Sequence, residues 1–319
     1  MAHILVAGAL HPSGRALLDA SPHSVRYIDE ISEPSYAPHI AEANALVIRT
    51  QPLSAATVAR AERLRIVSRH GVGYDAVDLA ALNARGITLA VCGDVNSHSV
   101  AEHTVMMILA AMKRIRRADQ AVRSGDWGWR NGLESQDLRG RCLLILGYGR
   151  IGQRIAALMA GFGMTLRAYD PFATQWPGGA ERVSDLTEAL GSAQVVAVSV
   201  PKGDRPLIGP AEFAAMADGT VLVNCARGGI VDEAALVQAL VSGRIGAAGL
   251  DVFDAEPLPA DHPLNRFDQV ILSPHIAGVT EGASERMAIG SAQNVLDFFE
   301  GRLNPDLIVN SEAQHGPKT

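Results

Sequence analysis

Arg227, Glu256 and His275 each follow an apolar run that ends in a turn-forming or polar residue. Runs of this kind predict buried parallel strands, and in open α/β sheets ligands gather outside the carboxyl ends of the strands. Residues far apart in the sequence are thereby brought close in space. We therefore expect the three side chains to converge on one site.

A guanidinium, a carboxylate and an imidazole together suit hydride transfer at a secondary alcohol. Removal of hydride requires loss of the hydroxyl proton, and histidine exchanges protons near neutral pH in both directions, so His275 is the predicted acid/base. Glu256 is predicted to orient the ring and stabilise its charged form, and Arg227 to bind a substrate carboxylate and polarise the adjacent carbonyl oxygen. This chemistry predicts no metal. Taken singly, Arg227 could neutralise a surface acid, Glu256 could cap a turn, and His275 could be a partly buried ring.

A glycine-rich motif lies where a dinucleotide-binding turn would be needed. The apolar run Cys142 to Leu146 leads directly into Gly147-Tyr148-Gly149-Arg150-Ile151-Gly152, and a helical stretch and a second apolar run follow. In such a motif the first glycine permits the tight turn, the second lets a pyrophosphate approach, and the third lets helix and strand pack closely. The helix amino terminus offers unpaired N–H groups to the phosphates. We predict dinucleotide binding, with a tight turn that holds no ligand as the alternative.

Asp170 ends the apolar run that follows this motif. A carboxylate there would accept hydrogen bonds from the adenine ribose and oppose a 2′-phosphate, so NAD is predicted over NADP, although Arg150 or Arg167 could soften that preference. The alternative is that Asp170 only starts a turn before Pro171.

The surrounding pattern predicts an α/β fold with doubly wound parallel sheets. Four strands are predicted over residues 4–7, 45–48, 65–68 and 88–91, alternating with alanine-rich helical stretches. A long helix is predicted over 97–117, followed by a surface connection over 124–140 that contains two tryptophans. Six further strands are predicted over 142–146, 165–169, 195–200, 220–224, 247–251 and 270–273, with helices at 152–162 and 232–241 and a final helix over 284–300.

Composition argues against several classes of partner. A chain of 319 residues, 48% of them hydrophobic, is long enough for two domains. A net charge of −6 provides no broad positive field for nucleic acid or anionic lipid. The basic run 113–117 is predicted to be a solvated helix end, with a nucleic-acid or targeting patch as the alternative. Three separated cysteines predict neither disulfides nor zinc, and neither an export signal nor a membrane span is evident, so we expect a cytoplasmic protein.

The motifs together resemble those of the D-isomer-specific 2-hydroxyacid dehydrogenases, especially the phosphoglycerate dehydrogenase and glyoxylate/hydroxypyruvate reductase branch. The resemblance covers nearly the whole chain and rests on Arg69 to Asp75, Ala101 to Thr104, the glycine motif, Asn224 to Glu233, Asp251 to Pro257 and Pro274 to Gly278. It implies a Rossmann nucleotide domain over 99–285, inserted into a flavodoxin-like substrate domain formed by 1–98 and 286–319. The implied activity is an NAD-dependent dehydrogenase of a small D-2-hydroxy or 2-keto acid.

The resemblance also implies roles for individual residues. The family's arginine, glutamate and histidine fall on the same three residues proposed above from chemistry, and the arginine and histidine also contact the substrate. The substrate carboxylate would meet the loop of Gly71, Val72 and Gly73. Asp251 and the backbone carbonyl of Cys225 would contact the nicotinamide carboxamide, so the cysteine is not predicted to be a nucleophile. The implied cofactor contacts are Thr104, Gly147, Gly149, Arg150, Ile151, Gly152, Asp170, Val200, Pro201, Cys225, Ala226, Asp251, His275 and Gly278.

Some features depart from the family pattern. His70 and Tyr74 stand where relatives commonly have Ala and Leu, and Gly203 to Pro206 replaces a threonine-rich turn. A homodimer formed through the nucleotide domain is implied, with the tryptophan-bearing connection at the contact. Because the chain stops after the final helix, the feedback control of longer relatives is not expected.

Two other functions stay open from sequence alone. One is a related dehydrogenase of a different small anion, such as formate or phosphite, although Glu256 argues against formate dehydrogenase, where the resemblance would predict Gln. The other is an NADH-responsive binding protein, like the co-repressors that share this fold. Among substrates, the sequence does not choose between glyoxylate, hydroxypyruvate, phosphohydroxypyruvate and larger keto acids.

Overall fold

A computed structural model describes residues 1–310, and the chain divides into two compact units. The first unit contains Met1–Asn96 together with the chain from Thr280 onward, and the second contains Ser97–Val279. Both boundaries fall at the starts of helices, whereas the sequence analysis placed them after residue 98 and before residue 286. Residues 311–319 of the predicted substrate domain lie outside the described residues.

The first unit is built on a five-stranded parallel sheet. Its strand order, β2-β1-β3-β4-β5, is the flavodoxin-like order, so the predicted fold class of this unit is confirmed. The sequence analysis did not predict β2, which lies at the edge of the sheet. The elements are β1 (His3–Ala7), α1 (Pro12–Asp19), β2 (Ser24–Ile28), α2 (Glu33–Tyr36), β3 (Ala45–Ile48), α3 (Ala55–Ala59), β4 (Ile66–Arg69), α4 (Leu79–Ala84) and β5 (Thr88–Ala90).

The second unit is built on a seven-stranded parallel sheet. Its elements are α5 (Ser97–Met112), α6 (Ile115–Ser124), β6 (Cys142–Leu146), α7 (Arg150–Met159), β7 (Thr165–Tyr169), β8 (Glu181–Val183), α8 (Leu186–Ser192), β9 (Val195–Val198), α9 (Pro210–Ala215), β10 (Thr220–Asn224), α10 (Glu233–Val241), β11 (Ile245–Leu250) and β12 (Val270–Leu272). The strand order is β12-β11-β10-β9-β6-β7-β8, in which β8-β7-β6-β9-β10-β11 is the Rossmann order and β12 is one further strand beyond β11. The prediction of six strands was wrong, because it missed the three-residue edge strand β8. The chain then returns to the first unit as α11 (Glu281–Phe299).

Apolar side chains cover both faces of each sheet. Successive residues of β6 alternate between two cores, with Leu144 and Leu146 in one and Leu143 and Ile145 in the other. In the first unit α11 packs against one face of the sheet through apolar residues that include Ala288. This two-sided burial fixes the strands, so the loops that leave their carboxyl ends start from rigid positions. Among residues 1–310, no helix has the length and apolar character needed to cross a membrane.

The single helix predicted over 97–117 is two helices. α5 ends at Met112, and Arg114 adopts a left-handed conformation with φ of +53° before α6 begins. The Arg114 guanidinium donates to the carbonyl of Gly246 at 2.7 Å. This contact, made by a side chain at the break, is not visible in the apolar periodicity from which the long helix was predicted.

The cations of the basic run 113–117 are bound within the second unit. Lys113 pairs with Asp137 at 2.7 Å, and Arg117 pairs with Glu134. Arg116 donates to two backbone carbonyls at the start of β12 and in the turn before it. The cations of the run therefore join the helix break to the rest of the unit, while Arg116 stays exposed to solvent at the start of α6.

Candidate active site

Three neighbouring strands of the second unit deliver the predicted catalytic residues. β10, β11 and β12 are adjacent and parallel, so the loops after them leave the same edge of the sheet. Arg227, Glu256 and His275 lie on these three loops in that order. The topology therefore gives their loops a common origin at the carboxyl edge of the sheet.

Glu256 and His275 form a hydrogen-bonded pair. The distance from His275 Nδ1 to Glu256 Oε2 is 2.7 Å, and the other carboxylate oxygen accepts the Phe253 N–H at 3.0 Å. The side chains are partly open to solvent, with exposed fractions of 47% for His275 and 38% for Glu256. Because the carboxylate accepts at Nδ1, that nitrogen carries a proton and Nε2 is the ring atom available for exchange with a ligand.

The loop carrying Arg227 contacts the loop carrying Glu256 through the backbone. A Cβ placed on Gly228 would lie 1.8 Å from the carbonyl oxygen of Phe253, so only glycine allows the two loops to approach this closely. Buried Asn224 shapes the first loop, since its amide donates to the Arg227 carbonyl at 3.0 Å. The Arg227 guanidinium donates to the Ala226 carbonyl at 2.7 Å. The close approach of Gly228 to Phe253 holds the guanidinium loop against the carboxylate loop, and the two hydrogen bonds fix the conformation of the guanidinium loop itself.

Glu233, to which the sequence analysis gave no individual role, supports the same loop. Its Oε1 accepts the Asp254 N–H at 2.8 Å, and its Oε2 lies 3.2 Å from His262 Nε2. His262 Nδ1 accepts the N–H of Leu264, so Nε2 carries the proton that points to Glu233. Burial raises the pKa of the Glu233 carboxyl, with the charge of Asp254 adding to that rise. This support could not be found from the sequence, because the two residues joined to Glu233 lie beyond the next strand.

Asp251 is fully buried and organises the turn that carries His275. Its Oδ1 accepts the Ser273 hydroxyl at 2.5 Å and the Ile276 N–H at 2.9 Å, and its Oδ2 accepts the Ala277 N–H at 2.8 Å. The backbone of His275 is left-handed, with φ of +53°, and its N–H donates to the Asp251 carbonyl at 2.8 Å. The structure thus gives Asp251 a definite part in shaping the turn, while its predicted contact with a carboxamide stays a prediction.

Cys225 and Thr104 are both buried. Burial raises the pKa of the Cys225 thiol to about 12, so it stays protonated and is a poor nucleophile. The Thr104 hydroxyl donates to the Val100 carbonyl one turn earlier in α5, at 2.8 Å, and the residue is 1% exposed. This is the packing role expected of a helical threonine, and the cofactor contact implied by resemblance stays a prediction.

The glycine motif forms a tight turn between β6 and α7. Gly147 has φ of +93°, and a Cβ on Gly152 would lie 2.1 Å from the Gly147 carbonyl oxygen, so both positions require glycine. By contrast, no described atom lies within 4 Å of a Cβ placed on Gly149, which leaves open space beside the turn. No side chain of the described residues caps the amino terminus of α7, where Arg150 and Ile151 begin the helix. An open glycine face and an uncapped helix end fit the pyrophosphate of a dinucleotide.

Asp170 is engaged in the turn that follows β7. Its Oδ1 accepts the N–H groups of Phe172 at 2.9 Å and Ala173 at 3.0 Å, and its Oδ2 accepts the Tyr148 N–H at 2.8 Å. The turn-starting role is therefore present, and the same carboxylate is tied to the glycine motif through Tyr148. A ribose contact at Asp170 stays a prediction.

The remaining predicted contact residues differ in exposure. Pro201 and His275 are exposed, and Val200, Ala226 and Gly278 are half-buried. A Cβ on Gly147 would meet Val200 at 2.9 Å, so Val200 borders the glycine turn. All of these residues belong to the second unit.

The predicted carboxylate-binding loop belongs to the first unit and follows β4. Gly71 is buried with φ of +138°, its carbonyl accepts the Cys92 N–H at 2.9 Å, and Val72 and Gly73 are half-buried. The loop is thus held in a conformation that favours glycine, and its binding of a substrate stays a prediction. Within residues 1–310, no group of three or more His, Cys, Asp or Glu side chains is arranged to hold a metal ion.

Comparison with known proteins gives consistent matches. The family model described as "D-isomer specific 2-hydroxyacid dehydrogenase, NAD binding domain" matches residues 105–277. A D-3-phosphoglycerate dehydrogenase from Mycobacterium bovis is 36% identical over 96% of this chain, and the chain spans 58% of that protein's length. A glyoxylate reductase from Aeropyrum pernix is 36% identical over 96% of this chain and 95% of its own length.

Among solved structures, the TT0316 protein from Thermus thermophilus is similar along its whole length. It superimposes with a TM-score of 0.89 at 32% identity, covering 96% of this chain and 99% of that protein. The likeness includes both units of the chain, since a match confined to either one could not reach this coverage.

Proposed function

The chain belongs to the D-isomer specific 2-hydroxyacid dehydrogenases, and on that premise we propose that it transfers a hydride between NAD(H) and a small D-2-hydroxy or 2-keto acid. The observation that carries the proposal is the 2.7 Å pair of His275 and Glu256, placed at the same sheet edge as Arg227. The reaction needs a proton donor beside a cation that stabilises developing negative charge on oxygen. The described site offers both.

In this proposal His275 moves the proton. Nε2 holds the proton that passes to the carbonyl oxygen when a keto acid is reduced, and takes it back when the hydroxy acid is oxidised. Glu256 keeps Nδ1 protonated and the ring oriented, and it stabilises the imidazolium that exists before reduction and after oxidation. The proton balance of the reaction is thereby met by a single ring.

Arg227 is proposed to hold the substrate. A guanidinium can bind a carboxylate in a planar, two-bonded fashion and also face the neighbouring carbonyl oxygen, where negative charge grows during reduction. The backbone contact between Gly228 and Phe253 supports this role, because it fixes the guanidinium loop relative to the Glu256 loop. The loop of Gly71, Val72 and Gly73 is proposed to bind the substrate carboxylate as well.

Bound NAD(H) would supply and accept the hydride. Gly147, Gly149 and Gly152 would hold its pyrophosphate, with the N–H groups at the start of α7 as donors. We propose a preference for NAD over NADP, supported by the Asp170 carboxylate directly after β7, which would repel a 2′-phosphate. The residues proposed for the nicotinamide end of the site include Cys225, Asp251 and Gly278.

We further propose that the protein is a cytoplasmic homodimer. Support for the dimer comes from exposed apolar side chains on α6 and the segment after it, including Val122 at 62%, Trp127 at 66% and Leu133 at 84% exposed. Apolar side chains of this size on one surface segment are typical of an interface between subunits.

The proposed function is tested with purified protein and a panel of 2-keto acids. Glyoxylate, hydroxypyruvate, phosphohydroxypyruvate and a branched keto acid are each assayed by the loss of NADH absorbance, and then with NADPH. We expect turnover of at least one keto acid and a higher kcat/KM with NADH. No turnover of any 2-keto acid would overturn the activity, and equal kcat/KM with the two cofactors would overturn the role of Asp170.

A further inference from the structure

His103, on α5, reaches the turn that carries His275. Its Nε2 lies 3.0 Å from the Ser273 hydroxyl and 3.7 Å from Asp251 Oδ1. The side chain is 13% exposed, so it is packed within the second unit. It belongs to the Ala101 to Thr104 motif, in which the resemblance pointed to the next residue, Thr104, and left His103 without a role.

The direction of each hydrogen bond in this group follows from the number of protons. The Asp251 carboxylate, which already binds two backbone N–H groups, can only accept from Ser273. The single hydroxyl proton of Ser273 is thereby committed to Asp251. The Ser273 oxygen must then accept from His103, so the Nε2 of His103 carries a proton and donates it.

The bonds form a chain from α5 to the catalytic ring. His103 orients Ser273, Ser273 binds Asp251, and Asp251 binds the N–H groups of Ile276 and Ala277 on one side of His275. The backbone of His275 is left-handed, a conformation that is strained for a non-glycine residue and persists only where surrounding contacts fix it. These contacts come from Asp251 and, behind it, from His103.

We propose that His103 is a positioning residue for the acid/base turn: it holds Ser273 and Asp251 in register and so keeps the imidazole of His275 in place. It touches neither the reacting atoms nor the cofactor in this role. The catalytic consequence rests on the proposed function, but the structural consequence, an ordered turn at residues 275–277, does not.

The test compares His103→Leu, His103→Gln, Ser273→Ala and the His103→Leu/Ser273→Ala double variant. Leu removes the donor, whereas the Gln amide can still donate to Ser273. His98→Leu, at an exposed histidine in the first turn of the same helix, is the matched control.

The first readout is hydrogen exchange of the Ile276 and Ala277 amides, which needs no turnover. We expect His103→Leu to speed exchange there by about tenfold, because a supporting hydrogen bond is lost, while His103→Gln and His98→Leu stay near wild type. Unchanged exchange in His103→Leu would overturn the proposal whether or not the protein reduces a keto acid.

The second readout is the kinetics of whichever keto acid the wild-type protein reduces. We expect His103→Leu to lower kcat by about tenfold with little change in the KM for NADH, and His103→Gln to restore most of it. Because His103 acts through Ser273, the double variant should be no slower than Ser273→Ala alone. If the fall in kcat of the double variant is the product of the falls in the two single variants, His103 does not act through Ser273 and the proposal is overturned. Absence of turnover in wild type would instead count against the proposed function.

Discussion

The His275 imidazole and the Glu256 carboxylate form a hydrogen-bonded pair, in which Nδ1 lies 2.7 Å from Oε2. We expect His275→Ala to lower kcat by at least about a hundredfold, because general acid/base groups contribute on this scale. Affinity for NADH should be nearly unchanged, since the ring follows β12 and the glycine turn follows β6, with three strands between them in the same sheet. Stopped-flow hydride transfer and fluorescence titration with NADH measure the two effects, and hydride transfer at the wild-type rate would contradict the assignment.

His70 is a second histidine whose protonation matters, in this case for stability. It is 5% exposed, and no partner for its Nε2 is found in the part of the chain that the structure describes. Burial, and then the positive charges of Arg49 and Arg69, lower its pKa from 6.5 to about 3. The folded protein therefore keeps this ring neutral at pH values where the unfolded chain binds a proton. The neutral ring of His70 therefore costs the folded state nothing above pH 6.5. As the pH falls from 6.5 toward 3, protonation of the unfolded chain lowers the free energy of unfolding.

We therefore expect His70→Leu to reduce the loss of folding stability in acid. At pH 5 the wild-type ring should cost about 2 kcal/mol relative to neutral pH, a cost that Leu, an apolar side chain, does not carry. Urea unfolding at pH 7 and at pH 5 gives the loss in the free energy of unfolding between the two pH values. His98→Leu, at an exposed histidine, is the control and should show the same loss as wild type. If wild type and His70→Leu lose the same free energy of unfolding between pH 7 and pH 5, protonation of His70 is not what lowers stability in acid.

At the scale of elements, α10 supports the catalytic loop through its first residue. Asp232 caps the helix by accepting the Ala235 N–H, and this fixes Glu233 where it can bind the Asp254 N–H. We expect Glu233→Ala to lower kcat by about tenfold, because the loop that carries Glu256 loses an anchoring hydrogen bond. Glu188→Ala, which changes an exposed glutamate in the first turn of α8, should leave kcat at the wild-type value. Steady-state kinetics of both variants decide the matter, and equal kcat values would refute the anchoring role.

The elements that the sequence predicted well are those buried on both faces. β6 and β10 are continuous apolar runs with unambiguous ends, and the residues that follow such strands could be assigned to one edge of a sheet. The missed strands β2 and β8 are edge strands that carry charged residues, and their pattern does not separate them from loops.

The part of the site that the sequence did not predict depends on pairing across elements. His103 and Ser273 lie on α5 and after β12, and no local spacing indicates that they meet. The same holds for Glu233 and Asp254, which are joined across β11. Strand ends can be read from hydrophobic periodicity, whereas the partner of a polar side chain is set by how the helices pack, and periodicity does not specify that packing.

At the scale of the whole molecule, the chain has an excess of negative charge. The chain carries a net charge of −6, and in the second unit the cations of the run 113–117 are committed to internal acceptors. The small anion proposed as substrate needs only one guanidinium, that of Arg227.

The dimer proposed for the molecule makes a prediction about Leu133. This residue is 84% exposed and left-handed, with φ of +52°, so its backbone is strained and its side chain is unburied in the single chain. Burial of a leucine against a second subunit contributes about 1.5–3 kcal/mol. We therefore expect Leu133→Asp to weaken dimerisation by at least about tenfold, as measured by analytical ultracentrifugation over a range of concentrations. Val241→Asp, at a residue 69% exposed at the end of α10, is the matched control and should dimerise like wild type. A monomeric wild-type protein, or identical dissociation constants for the two variants, would exclude this segment from the interface.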